Sequence, residues 1–215
     1  MPIRHQSERV PGKNYRDFGG RPLFEHMLTT LLDTAAIAVV VVDTDSPIVR
    51  ERIATGFPSV VLIDRPTELR GGDVPMNDVL LHDIERVPSD WYLQTHCTNP
   101  LLRAVTIERG LQTLFASLEA YDSLFAVTPM FTRLWWPNGK PINHDPRVLL
   151  RTQDLPPVLE ENSNMYVFRG DDLRSSGNRI GTRPLLFEIA RAEAWDIDEE
   201  LDFMIGEMIY QRGHE

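Results

Sequence analysis

The sequence predicts an α/β fold in which a mostly parallel central sheet is flanked by helices. Short apolar runs that are typical of strands alternate with amphipathic stretches that are typical of helices. The run Ile37–Asp43 is apolar without alternation, as expected of a strand whose two faces are both buried. The chain has 215 residues and 42% hydrophobic residues, which is enough for one core. We therefore expect a single domain over residues 1–215.

The first half of the chain carries the alternation most clearly. The predicted strands are Ile37–Asp43, Ser59–Asp64, Trp91–Gln94 and Leu124–Thr128. The predicted helices are Pro22–Leu32, Pro47–Thr55, Met76–Glu85 and Leu101–Leu118. This order favours right-handed crossovers between parallel strands. Only Met1–Ile3 precede the first loop, so the opening strand is either very short or begins upstream of this sequence.

The pattern changes after Pro129. Two short segments, Leu134–Trp136 and Lys140–Asn143, flank an Asn-Gly pair that favours a tight hairpin turn. We expect residues of about 130–160 to form an inserted hairpin segment. The elements predicted after it are a strand at Asn164–Phe168, a short helix near Asp171–Ser175 and a final helix at Glu199–Arg212.

Composition excludes several classes of protein. The chain has 22 basic and 32 acidic residues, a net charge of −10, which argues against a surface that binds nucleic acid. A single cysteine, Cys97, excludes an intramolecular disulfide and a multi-cysteine metal site. The longest apolar run, Ala35–Val42, is too short to span a membrane, and the first residues do not resemble a secretory signal. We expect a soluble cytoplasmic protein with no nucleic-acid or membrane partner.

The first loop is basic in an otherwise acidic chain. Residues 1–21 contain five basic residues against two acidic ones. Loops at the carboxyl ends of strands bind ligands in open α/β sheets, and cations with backbone N–H groups near Gly12 suit a triphosphate. The loop is not a GxxxxGK[ST] phosphate loop, because Ser7 stands where that pattern needs glycine. A plain surface loop is the alternative.

An acidic pair, Asp196 and Asp198, is the second candidate site. Residues two apart on an extended segment project to the same side, so both carboxylates can meet one Mg²⁺ ion. The alternative is that Asp198 only caps the helix beginning at Glu199.

Two further polar segments follow predicted strands. Arg65-Pro66 and Gly71-Gly72-Asp73 form either a ligand loop or an ordinary turn. In Gln94–Pro100, a polar strand end, Asn99 and Pro100 are alternatively the cap and first residue of the next helix. His96 and Cys97 are adjacent and point apart on a strand, so we expect no metal site there.

The order of these motifs resembles the acylneuraminate cytidylyltransferase family, the CMP-N-acetylneuraminic acid synthetase-like enzymes, from Pro2 to Phe203. The motifs that carry the resemblance are Arg4 with Pro11-Gly12-Lys13-Asn14, Arg65-Pro66-x-x-Leu69 with Asp73, Leu93–Leu101 (similar to LQPTSPL), Arg151–Pro156 (similar to RxQDLP), Asn162–Tyr166 (similar to NGAIY) and Asp196-Ile197-Asp198 with Asp202-Phe203. The chain departs from the family at Arg4–Arg9, which replaces RGGSKG and puts Glu8 where a lysine is usual, and at His96-Cys97.

The resemblance implies a Rossmann-like nucleotidyltransferase fold and the transfer of CMP from CTP to the anomeric hydroxyl of a 2-keto-3-deoxy acidic sugar, with release of pyrophosphate. It implies Mg²⁺ as cofactor and a homodimer that uses the segment Phe131–Pro157. The departures leave open another nucleotide or sugar, and a homologue that binds nucleotide without catalysis.

The same resemblance implies a role for each matched residue. Arg4 and Lys13 would be catalytic, by neutralising the charge that develops on pyrophosphate, and Arg151 would pair with the carboxylate of the sugar. The nucleotide would be bound by Arg4, Ser7, Arg9, Lys13, Asn14, Arg65, Gly72 and Asp73. The sugar would be bound by Gln94, Thr95, Arg151, Gln153 and Tyr166, and the metal by Asp196 and Asp198.

Overall fold

The computed structural model describes residues 1–213, and these form an α/β fold. The strands are β1 (Pro2–Ile3), β2 (Asp17–Phe18), β3 (Arg21–Pro22), β4 (Val41–Thr44), β5 (Val61–Asp64), β6 (Trp91–Thr95), β7 (Ser123–Met130), β8 (Val158–Arg169) and β9 (Pro184–Glu188). The α-helices are α1 (Leu23–Leu32), α2 (Pro47–Gly56), α3 (Met76–Arg86), α4 (Ala104–Phe115), α5 (Gly170–Ser176) and α6 (Glu200–Gln211). The predicted fold class is confirmed.

The strands pair in two main sheets and one small hairpin. Strands β1, β4 and β5 are parallel, in the order β1-β4-β5, and the second sheet has the order β6-β8-β7-β9. In the second sheet β7 and β9 are parallel, whereas β8 is antiparallel to both β6 and β7. The mostly parallel arrangement predicted from the sequence therefore has β8 as its main exception. One hydrophobic cluster contains residues of both sheets, such as Ile3, Val42, Leu124, Met165 and Phe187.

Several element boundaries differ from the prediction. The strand predicted at Ile37–Asp43 begins only at Val41, and helix α4 begins at Ala104 rather than at Leu101. Arg103 is the N-terminal cap residue of α4, so Asn99 and Pro100 do not cap or open that helix. The sequence analysis missed β9 and the two-residue strands β2 and β3, because such short segments give no periodic signal.

The predicted hairpin lies between β7 and β8. Trp135 pairs with Pro141 in an antiparallel bridge, and the N–H of Trp136 donates to the carbonyl of Lys140 at 2.8 Å. Gly139 has φ +80°, a backbone conformation that an Asn-Gly turn supplies readily. Large apolar side chains of this segment face solvent, and Leu149 is 90% exposed. The segment is therefore a hairpin-bearing excursion with an apolar surface.

A bulge in β8 shapes the middle of the second sheet. Glu161 pairs with Val127 and Tyr166 pairs with Phe125, so four residues of β8 lie opposite one residue of β7. Ser163 has φ +60°, the one non-glycine residue with positive φ in residues 1–213. This stretch is the NGAIY-like motif, and the bulge turns Ser163 towards the cleft described below.

None of the helices in residues 1–213 has the length and apolar composition needed to cross a bilayer.

Candidate active site

A cleft of about 800 Å³ opens where the loops that follow β1, β5 and β6 meet. This is the position at which open α/β sheets bind ligands. Its walls bring together segments that lie far apart in the sequence: the first loop, the Gly71–Asp73 turn, the end of β6, the β8 bulge and the Asp196–Asp198 segment. The sequence-predicted residues that line it are Arg4, Ser7, Arg9, Lys13, Asn14, Arg65, Gly72, Asp73, Asp196 and Asp198.

Lys13 is the most buried cation of the first loop. Gly12, at φ +68°, begins a short 3-10 turn over Lys13–Tyr15 that directs the lysine side chain inward. The ammonium group donates a hydrogen bond to the carbonyl of Ile197 and lies 3.9 Å from the Asp198 carboxylate. Lys13 thereby joins the basic loop to the acidic segment.

Asn14 ties the first loop to the end of β6. Its Nδ2 donates to the carbonyl of Arg4 at 2.7 Å, and its Oδ1 accepts a hydrogen bond from the Cys97 thiol at 3.3 Å. Burial raises the pKa of Cys97 to about 12, so the thiol keeps its proton. In this geometry the Asn14 amide holds the loop in shape.

Arg4 and Arg9 are exposed at the rim of the cleft. Arg9 Nη2 donates to Asp198 Oδ1 at 2.6 Å. A Cβ atom on Gly72 would lie 3.7 Å from Arg4 Nη1 and 3.4 Å from Glu8 Oε1. The first loop and the glycine turn therefore face each other closely across the cleft.

Arg65 is fully buried, although the sequence alone marks it only as a loop residue. It is 2% exposed, and its Nε lies 3.2 Å from each carboxylate oxygen of Asp43. This pair fixes the guanidinium at the inner wall of the cleft. A buried ion pair of this kind is costly to break, because the remaining charge is left without a partner.

A cluster of Asp43, His82 and Asp83 lies behind Arg65, with ligand atoms within 4.8 Å of one another. Burial, followed by the Asp43 charge, raises the pKa of Asp83 to about 8, so this carboxyl is largely protonated at neutral pH. Both Asp43 oxygens already accept from Arg65. In this cluster the protonated Asp83 lies beside the Asp43 carboxylate, which holds Arg65 in place. The cluster is therefore poorly suited to binding a cation.

Asp196 and Asp198 fit a divalent cation better. Asp196 Oδ1 is buried without a hydrogen-bond partner, and burial, with a smaller effect of the Asp198 charge, raises the pKa of Asp196. The Asp198 carboxylate is 47% exposed towards the cleft. A metal ion would satisfy the orphaned oxygen and relieve the repulsion between the two carboxylates.

Asp198 is not the cap of the last helix. The residue at the N-terminal cap of α6 is Glu199, and Asp202 accepts hydrogen bonds from the backbone N–H groups of both Glu199 and Asp198. The capping alternative for Asp198 is therefore wrong. The Asp198 carboxylate instead faces the cleft and pairs with Arg9.

The predicted sugar residues Gln94 and Tyr166 are paired across β6 and β8, but both are buried and neither is among the residues that line the cleft. Gln94 Nε2 lies 2.8 Å from His96 Nε2, and Tyr166 donates to Glu161 Oε1 at 2.5 Å. Burial, then the charges of Arg179 and Lys13, lowers the pKa of His96 to about 4, so its ring is neutral. Arg179, which sequence reasoning missed, lies 3.7 Å above the Tyr166 ring.

Three other predicted sugar residues lie elsewhere. Thr95 is the last residue of β6 and is buried on the face of Leu93, which packs against the main core. His96 and Cys97 follow the end of the strand and do not extend it. Arg151 is 73% exposed and pairs with Asp154 at 2.7 Å. Within one chain, Arg151 and Gln153 are placed on the excursion and not among the cleft residues.

Comparison with known proteins decides the family. The sequence model of the cytidylyltransferase family matches residues 1–206 of this chain. The chain belongs to this family. The chain is therefore a nucleotidyltransferase, and the cleft with its basic and acidic loops is the candidate active site.

Two relatives match this cytidylyltransferase over almost their whole length, and a third matches over part of it. It is 24% identical over 216 residues to the post-translational flagellin modification protein B of Campylobacter coli, covering 96% of this chain and 91% of that protein. It is 25% identical over 242 residues to the CMP-N,N'-diacetyllegionaminic acid synthase of Legionella pneumophila, covering 100% and 96%. A 30% identical stretch of 112 residues matches the 3-deoxy-manno-octulosonate cytidylyltransferase of Escherichia coli, covering 52% and 43%.

Solved structures agree on the fold. A CMP:2-keto-3-deoxy-manno-octonic acid synthetase, solved as a complex with CTP, superposes with a TM-score of 0.73 at 18% identity, covering 98% of this chain and 96% of that one. A 4-diphosphocytidyl-2C-methyl-D-erythritol synthase from Anaerococcus prevotii gives a TM-score of 0.67 at 11% identity, covering 98% and 95%. The cytidylyltransferase fold is therefore shared by enzymes of different acceptors.

Proposed function

We propose that this chain transfers CMP from CTP to the anomeric hydroxyl of a 2-keto-3-deoxy acidic sugar and releases pyrophosphate. One observation carries the proposal: the first loop places Lys13 and Arg9 against Asp198, beside the orphaned oxygen of Asp196. Cations for a triphosphate and carboxylates for a metal ion are thus assembled at one end of a single cleft.

Asp196 and Asp198 are the residues that would hold Mg²⁺. When bound, the ion would neutralise phosphate charge and lower the pKa of the attacking hydroxyl. Phosphoryl-type transfer depends mainly on positioning and on charge neutralisation, so this site needs no side-chain nucleophile.

The cations act on the nucleotide. We infer that Arg4 and Lys13 bind the triphosphate and stabilise the charge that develops on pyrophosphate, with Arg9 and Ser7 at the same loop. Arg65 and the Gly72-Asp73 turn would hold the nucleoside, since both line the same cleft as the cations of the first loop. Asn14 supports the loop through its hydrogen bond to the Arg4 carbonyl.

The acceptor class rests on relatives and on polar groups next to His96, a residue of the cleft lining. Enzymes named for 3-deoxy-manno-octulosonate and for N,N'-diacetyllegionaminic acid are both similar to this chain. Gln94, with an unpartnered Oε1, and Tyr166 supply hydrogen-bonding groups for sugar hydroxyls. A reaction that consumes CTP also supports the predicted cytoplasmic location.

We further propose a homodimer built on the excursion. Its exposed large apolar side chains are typical of a surface that another chain covers. These are Phe131, Trp135, Trp136, Ile142, Val148, Leu149 and Leu150. In such a dimer the excursion, with Arg151 and Gln153, would lie against the partner.

The experiment is pyrophosphate release with Mg²⁺, CTP and a panel containing 3-deoxy-manno-octulosonate and N,N'-diacetyllegionaminate. We expect release with CTP and at least one acid sugar, and loss of release when EDTA removes the metal. A parallel series with ATP, GTP and UTP tests the alternative nucleotide. Binding of CTP, measured by thermal shift, without release from any sugar would instead support a nucleotide-binding homologue.

A further inference from the structure

Arg179 lies in the loop between α5 and β9, close enough to His96 of the cleft lining to act on that ring electrostatically. Its guanidinium carbon is 3.7 Å from the centre of the Tyr166 ring, a stacking distance, and its backbone N–H donates to Asn77 Oδ1 of α3 at 3.4 Å. The ring contact fixes the plane of the guanidinium, and the backbone contact anchors the loop to α3.

The guanidinium of Arg179 has no counter-ion. Its Nη1 is buried without a hydrogen-bond partner, and in residues 1–213 no carboxylate lies within ion-pair distance of it. Three of the four other arginines considered for the ligand differ in this respect: Arg9 pairs with Asp198, Arg65 with Asp43 and Arg151 with Asp154. Arg4, the fourth, lies at the exposed rim of the cleft. A buried guanidinium N–H without a partner is destabilising, unless a ligand supplies the acceptor.

The groups around Arg179 do not neutralise it. The pKa of His96 is lowered first by burial and then by the charge of Arg179, so the ring is uncharged and cannot act as a counter-ion. The Glu161 carboxylate accepts a hydrogen bond from the Tyr166 hydroxyl, with 2.5 Å between the two oxygen atoms. The positive charge of Arg179 thus remains available close to His96, which lines the cleft together with Ser163.

Gln94 is a second polar residue next to His96. Gln94 lies opposite Tyr166 in the sheet, and its Oε1 is buried without a partner. For a sugar bound next to His96, Gln94 Oε1 would accept a hydrogen bond from a hydroxyl group. The guanidinium of Arg179 would donate two hydrogen bonds. The planar guanidinium matches the geometry of a carboxylate, which it binds through two parallel hydrogen bonds.

We propose that Arg179 binds the carboxylate of the acidic acceptor and thereby determines the preference for acid sugars. This inference rests on the proposed function, since it assigns the acceptor-recognising cation of the same cleft. It gives Arg179 the role that the sequence resemblance implied for Arg151, whose side chain within one chain is exposed and paired with Asp154.

The test compares Arg179→Met and Arg179→Lys with the wild-type chain. Arg174→Met is the matched control, because Arg174 belongs to neighbouring α5 and forms an exposed pair with Asp171. The probes are 3-deoxy-manno-octulosonate and N,N'-diacetyllegionaminate, each as the free acid and as the carboxamide. Kd is measured by calorimetry with CDP present, and kcat/KM by pyrophosphate release with CTP.

We expect Arg179→Met to weaken binding of a free acid about 30-fold while leaving the carboxamide and the KM for CTP unchanged. Arg179→Lys retains part of the preference for the acid, because it keeps the charge without the planar fork. Arg174→Met behaves as wild type. Folding of each variant is checked by thermal unfolding.

Equal weakening of acid and carboxamide would overturn the proposal and leave Arg179 a packing residue on Tyr166. So would unchanged acid binding in Arg179→Met, or a wild-type chain that binds none of the acids. Failure of the proposed function gives a different result: the wild type binds acids in an Arg179-dependent manner but releases no pyrophosphate.

Discussion

Arg9 Nη2 and Asp198 Oδ1 lie 2.6 Å apart, although 189 positions separate the two residues in the chain. Their side chains are 60% and 47% exposed, so the pair contributes little to the free energy of unfolding, about 0–1 kcal/mol. The pair matters because of the groups that it brings together. Together with Lys13, 3.9 Å from the same carboxylate oxygen, it sets the cations of the first loop against the proposed metal ligands.

Changing Asp198 to Asn should abolish metal-dependent turnover with little loss of stability. We expect kcat/KM to fall by about 100-fold or more, because the variant removes one of two charged ligands. Unfolding by urea should change by about 0.5 kcal/mol or less, since Asp198 is half-exposed and does not cap α6. The matched control is Glu200→Gln, an exposed carboxylate paired with Arg16. Equal loss of activity in both variants would contradict the metal assignment.

Ser163→Gly should be more stable than Ser163→Ala, because the β8 bulge holds this residue at a positive φ. Ser163 has φ +60°, a conformation that costs an L-residue about 1–2 kcal/mol relative to its ordinary regions. We expect Ser163→Gly to be more stable than Ser163→Ala by about 1 kcal/mol, because both lack the hydroxyl and only Ala keeps the strained φ. Urea denaturation of the two variants is the measurement, and an Ala variant at least as stable as the Gly variant would argue against strain.

Asp83 should make stability depend on pH. Burial and the Asp43 charge raise its pKa in the folded chain to about 8, whereas the N-terminal ammonium and Arg65 oppose the shift. The folded state then holds a proton that the unfolded state has lost, so stability falls as pH rises from about 4 to about 8. One proton gives a slope of at most about 1.4 kcal/mol per pH unit.

Asp83→Asn should flatten this slope, and the free energy of unfolding measured from pH 4 to pH 8 tests it. Asp78→Asn, an exposed position on the same helix, is the control and should keep the wild-type slope. A wild-type chain whose stability is constant or rises across this range would show that Asp83 is ionised in the folded state.

Leu149 should hold the proposed dimer together. It is 90% exposed at the excursion, and a glutamate there would place a charge in the apolar contact. We expect the wild type to sediment as a dimer and Leu149→Glu as a monomer. Leu201→Glu, at a 63% exposed position of α6, is the control and should leave the mass unchanged. A monomeric wild type would remove the basis for the dimer.

Much of the fold could be predicted because its signals are local. The β-branched run ending at Asp43, the stripe of α1 and the Asn-Gly turn at Gly139 each depend on a few neighbouring residues. Strands such as β9 were missed because their five residues carry no strong period, and their position is decided by pairing with β7.

The sequence by itself determined the α/β class, the motif order and the residue types of the cleft, since these are properties of short segments and of their sequence. Only the tertiary structure decided which charges meet. Arg65 forms an ion pair with Asp43, and Arg9 forms one with Asp198. In residues 1–213, Arg179 stacks on Tyr166 without a counter-ion. Pairing and burial depend on how distant segments pack, and burial in turn sets the pKa of each group and the free energy of each unpaired charge.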